Sequence, residues 1–125
     1  MPIVNVEKLL AEANKYIKNP DVIVDVFDMT YTWVSDYHCE VTGYTKEEQE
    51  NMRIEVNSQV VGGDTGKTAP EAAVPFKPFE RKVVITTKTG EKKVYDTQGI
   101  VIEFNNQPFL VGKMIAIVNT NNTNN

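Results

Sequence analysis

His38 and Cys39 are the only histidine and the only cysteine of this 125-residue chain, and its one tryptophan, Trp33, lies just before them. A neutral imidazole offers one hydrogen-bond donor and one acceptor, and its charge changes near neutral pH. A single histidine can therefore orient a ligand or serve as an axial haem ligand. Zinc and non-haem iron need several ligands, which a lone histidine does not supply. Ser35, Asp36 and His38 contain the residue types of a nucleophilic triad. They crowd one helix start, however, where they cannot reach a triad's convergent geometry. Glu47 and Glu48 are adjacent and point different ways, as solvated capping residues do rather than a general acid–base pair. Gly62, Gly63, Asp64, Thr65, Gly66, Lys67 and Thr68 imitate a phosphate-binding loop. The motif needs a glycine five residues before Gly66, where Val61 stands, and a helix after Thr68, where Pro70 and Pro75 follow. No enzymatic constellation survives, so the chain is read as a non-enzyme.

The elements around His38 must position it. Asp36 can cap a short helix by accepting a free first-turn N–H. Tyr37, His38 and Val41 then share one face. Gly43 suits a left-handed helix stop. Thr45 with Glu48 forms a capping box for a second helix. Both helices are too short to stand alone and need strands to lie on. Residues 21–27 supply one, with Val22, Val24 and Val26 alternating against Ile23, Asp25 and Phe27. If Asp25 faces water, the three valines face the core. Residues 30–35 form the next strand, rich in β-branched and aromatic side chains. Residues 57–61 are read as a further helical turn. Residues 62–78, dense in glycine and proline, form a long loop. Strands follow at 81–87, 92–104 and 108–118, joined by turns at Gly90 and at Asn105 and Asn106, with a bulge expected near Gly99. Two successive hairpins mean antiparallel pairing, and the nearly all-apolar last strand should be central.

The run from Asp21 to Glu48 resembles a PAS domain. Thr42, Gly43, Tyr44, Thr45, Glu47 and Glu48 match that family's helix end and following capping box, while Ser35 stands where asparagine is usual and His38 where a large apolar residue is usual. The resemblance continues weakly to Val118. It implies an α+β fold: a PAS-like five-stranded antiparallel sheet of order 2-1-5-4-3 with short helices on one face. It also implies a sensory or signalling domain that binds a small molecule between sheet and helices and passes its state to a signalling partner protein. A ligand-free homodimerisation or protein-interaction module is the alternative. Such a ligand should contact Trp33, Tyr37, His38 and Val41, roofed by Val56 and Val60, because small-molecule pockets combine apolar or aromatic walls with a few polar groups. The cofactor is unknown. Haem and flavin occur in this family, but the residues support neither: no histidine lies on a later helix, and Cys39 lacks the Asn-Cys-Arg-Phe setting of flavin-binding LOV domains.

Ahead of this core, residues 1–20 read as an amphipathic helix capped by Asn5. Its apolar stripe, Val6, Leu9, Leu10, Ala13 and Ile17, either joins two copies into a homodimer or packs on the chain's own sheet. Residues 21–118 form the PAS-like domain, and the Asn/Thr tail at 119–125 has nothing to bury and should be disordered. One domain suits the length. A net charge of −4 argues against nucleic acid. The basic residues concentrated after Phe76 read as the solvent face of strands. No apolar run is long enough to span a membrane, and no signal peptide is apparent, so a cytoplasmic location is expected.

Overall fold

The computed structural model describes residues 5–60 and 75–118. The phosphate-loop imitation at Gly62–Thr68, the tail at 119–125 and the Val60 side chain lie outside the described residues. Helix α1 is Val6–Asn14, capped by Asn5, whose side chain accepts from Lys8 N. Strands β1 (Val22–Asp25) and β2 (Thr30–Val34) follow, then α2 (Asp36–Thr42) and α3 (Lys46–Gln49). A 3-10 turn, Ile54–Val56, leads into β3 (Ser58–Val60), and β4 (Phe79–Thr86), β5 (Lys92–Phe104) and β6 (Gln107–Val118) are the remaining described elements.

The fold is α+β. Its sheet is antiparallel throughout, with order β2-β1-β6-β5-β4-β3 and β6 central. Among the described residues it has six strands rather than five. The sixth, β3, pairs Ser58 with Ile85 and Gln59 with Val84, in the region read from sequence as a helical turn. The helical turn itself ends one residue before, at Val56. A three-residue edge strand carries too little alternation to be recognised from sequence. Asn105 and Asn106 both take positive φ (54° and 63°), the pattern of a two-residue type I′ hairpin.

The bulge lies near Gly99 rather than at it. The β5–β6 register shifts between Asp96 and Thr97, where Ile115 on β6 is the extra residue. Gly99 has another cause: the Phe79 ring lies over it, and a Cβ there would meet Phe79 Cζ at 2.6 Å.

Each face of the sheet carries a buried cluster. The stripe of α1 packs on its own chain: Leu9, Ala13 and Ile17 form one cluster with Ile23, Ile100, Ile102, Phe109 and Val111. The opposite face carries Val24, Tyr31, Val34, Val101 and Leu110 under Cys39, Met52 and Ile54, with Val22 and Val26 packed alongside. The valines of β1 thus face the helices as alternation implies, while Ile23 faces α1. A third cluster, Val41, Ile85 and Tyr95, seats the end of α2.

Leu9 is fully buried at the centre of the α1 contact. Leu9→Ala is expected to lower unfolding free energy by roughly 3 kcal/mol, the transfer and cavity cost of a buried leucine. Urea denaturation measures it. A loss below about 1 kcal/mol would mean that α1 is not docked on this sheet.

Candidate functional site

Ser35, not Asp36, caps α2. Its extended backbone places Oγ to accept from His38 N at 3.0 Å, and its hydroxyl donates to Asp21 Oδ1 at 2.7 Å. Asp21 Oδ2 accepts from Met114 N at 2.9 Å, so one buried carboxylate ties the start of α2 to β6. Asp36 instead pairs with Lys46 at 3.0 Å on the surface. Gly43, at φ 81°, ends α2. Thr42 O then accepts from Lys88 N, and Lys88 Nζ donates to Glu48 Oε2 at 2.7 Å, so the β4–β5 hairpin clasps both short helices. That ammonium and the capping bond from Thr45 hold the Glu48 carboxyl below its ordinary range.

This scaffold buries a polar cluster between sheet and helices: His38, Gln49, Asn57 and Thr42, each at most 1% exposed, with Tyr31 beside them. Tyr31 OH donates to Asn57 Oδ1 at 2.7 Å, and Asn57 Nδ2 donates to Gln49 Oε1 at 3.3 Å. Gln49 Nε2 donates to Tyr44 O at 3.3 Å and to Cys39 Sγ at 3.5 Å. The His38 ring tilts against Tyr31 with centroids 5.4 Å apart. Among the described residues, His38 Nδ1 is buried without any partner. An unpaired buried polar atom costs about 1–3 kcal/mol, and native interiors rarely tolerate one.

The proposed ligand contacts divide. His38 lies at the centre of the polar cluster. Val41 packs nearby in the third apolar cluster. Trp33 lies on the other face of the sheet, with the α1 cluster. Val24 pairs with Tyr31 and Ile23 with Trp33, so the register slips at Thr32 and turns Tyr31 and Val34 to the helices and Trp33 away. Tyr37 and Val56 are about half exposed. Sequence reasoning missed Tyr31, Gln49 and Asn57. Gln49 follows the capping box closely enough to face inward, which was the available signal.

Burial pushes the Tyr31 hydroxyl well above its ordinary range and raises the Cys39 thiol, so both stay protonated. Among the described residues, no group of three or more His, Cys, Asp or Glu could hold a metal ion. No described helix is long and apolar enough to cross a membrane.

No family model and no curated protein sequence matches this chain. Solved structures do. The PAS domain of an HTR-like protein from Haloarcula marismortui superposes with TM-score 0.62 at 13% identity, covering 88% of this chain and 93% of that one. This chain has the PAS fold. The dark structure of the blue-light photoreceptor Aureochrome1 LOV gives TM-score 0.62 at 16% identity, over 99% of this chain and 95% of that one. The light-state dimer of the fungal blue-light photoreceptor Vivid gives 0.61 at 14%, over 92% and 97%. The polar cluster of this PAS fold lies between its short helices and its sheet.

Desolvation lowers the His38 pKa from 6.5 to about 4, against the Asp21 charge and the Gln49 bond, which raise it. The unfolded ring takes a proton near pH 6.5 and the folded ring only near 4. Stability is therefore complete above pH 6.5 and falls as pH drops through that window. The effect between pH 7 and pH 5 is about 2 kcal/mol. His38→Gln, which does not titrate, should remove this part of the slope in urea denaturation. Equal slopes in both proteins would show that His38 is not buried neutral.

Proposed function

We propose that this chain is a sensory or signalling domain. A small molecule binds between sheet and helices, and its presence is passed to a partner protein. The observation that carries this reading is the partnerless His38 Nδ1, buried beside Tyr31 and Gln49 on the helix-covered side of a PAS fold. Fixed polar groups in an apolar interior are what orient a bound small molecule. The similar photoreceptor and PAS structures support the signalling part by analogy of fold.

The residues do not fit a haem or a cysteinyl–flavin site. The only histidine sits on the first short helix beside Gln49, and the only cysteine is a thiol whose pKa burial raises. A neutral thiol is a poor nucleophile.

An interaction module that binds no ligand is the second reading. Ile115 and Ile117 favour it, standing more than half exposed on the central strand. A homodimer through α1 would use the side of that helix away from Leu9, Ala13 and Ile17, which the chain's own sheet already covers.

Native mass spectrometry of the full chain purified from cells separates the two. The first reading expects a discrete small-molecule adduct that is lost on denaturation and reduced in His38→Phe. A wild-type spectrum with only ligand-free protein, monomer or dimer, would contradict it.

A further inference from the structure

Strand β6 outruns one of its neighbours. It pairs with β5 as far as Val118, but β1 accompanies it only from Phe109 to Gly112. Residues 113–118 therefore have a strand on one side and, among the described residues, none on the other. The start of this stretch is occupied: Met114 N donates to Asp21 Oδ2 at 2.9 Å, and Lys113 Nζ donates to Asn19 O at 2.9 Å. Past the bulge the strand is regular again, with Ala116 opposite Asp96, Ile117 opposite Tyr95 and Val118 opposite Val94. Ile115 and Ile117 stand 53% and 57% exposed, and Ala116 is exposed between them.

An unpaired edge offers main-chain donors and acceptors to another chain, and folded proteins blunt such edges with lysine, proline or inward charges. From Met114 onward the sequence holds no charged side chain and no proline. β-Branched residues such as Ile115, Ile117 and Val118 suit a strand. A charged partner finds no counter-charge here, whereas an identical edge meets it without repulsion and with matching apolar side chains. Residues opposite one another on paired antiparallel strands share a face. A two-fold axis at Ile117 satisfies this condition, setting Ile117 against its own copy and Ala116 against the copy's Val118.

We propose that the free edge of β6, residues 115–118, pairs antiparallel with the same edge of a second copy of this chain, joining two sheets into one across a closed two-fold contact. Main-chain hydrogen bonds supply the pairing, and the exposed isoleucines give it specificity. So short an edge makes a weak, concentration-dependent contact. The contact involves neither His38 nor the covered stripe of α1, so it stands whether or not a small molecule binds in the interior.

Sedimentation of the full chain over a range of concentrations reads the association. Mass should rise toward twice that of the monomer and no further. Ile117→Lys sets like charges directly opposite each other and should weaken association at least about fivefold. Its side chain is already exposed, so the variant should fold as the wild type does. Ile115→Lys, similarly exposed, serves as a second variant should the first unfold. Ile117→Val keeps the apolar pair and should associate like the wild type. Amide hydrogen exchange on the wild type should show protection of residues 115–118 that grows with concentration. A chain that stays monomeric at every concentration overturns the proposal. So does association that the lysine variants leave unchanged, or that adds no protection at residues 115–118, as contact through α1 or through the face of the sheet would give. Growth past two copies overturns the closed two-fold.

Discussion

A chain of buried hydrogen bonds with one permitted direction organises the helical side of this domain. It starts at the Tyr31 hydroxyl, passes through Asn57 and Gln49, and ends on the Tyr44 carbonyl. The carbonyl cannot donate, so reversing any amide would set two acceptors against each other in a desolvated site. Burial keeps the Tyr31 hydroxyl protonated, which secures the donor at the other end. Each link joins a different element: β2, the residue after the 3-10 turn, α3 and the α2–α3 connection. Short helices have little stability of their own. Here, satisfied polar groups hold them in register, and a fully connected network specifies geometry where apolar contacts alone would tolerate sliding.

The sheet supplies the other half of the constraint. Its central strands are covered by α1 on one side and by α2, α3 and the 3-10 turn on the other. Asp21 fastens these layers. Its backbone pairs with Gly112 and Ser35, and its side chain reaches Ser35 and Met114 beside the β6 bulge. The cap of α2 is therefore part of the sheet's own hydrogen bonding. His38, three residues after that cap, inherits a fixed position. Its proton equilibrium and its bare nitrogen both follow from being held there, in a place too dry for charge.

Much of this was legible from residue patterns. Strand alternation identified β1, β4, β5 and β6, and the Thr-Gly-Tyr helix end with its capping box located α2 and α3. The two-residue asparagine turn and the central place of β6 were equally readable, because each rests on local chemistry. What escaped depends on relations between distant residues. Trp33 was placed in the site because its strand alternates ambiguously; the slip at Thr32, visible only against β1, sends it to the other face. Gln49 and Asn57 are eight residues apart, and nothing in either residue type announces that they bond. The cap went to Asp36 because aspartate and serine are both good caps. The carboxylate of Asp21, across the sheet, accepts the Ser35 hydroxyl proton and favours Ser35. Gly99 looked like a bulge residue and proved to be room for the Phe79 ring.

The central claim is that the buried polar chain acts as one unit. A double-mutant cycle between its two ends, Tyr31→Phe and Gln49→Ala, tests this most directly, because the two side chains are linked through Asn57. Chemical denaturation of the wild type, both single variants and the double variant gives the coupling energy. A connected network predicts coupling of about 1 kcal/mol or more, with the double variant losing less than the sum of the singles. Losses that add to within about 0.5 kcal/mol would show independent bonds and contradict the account.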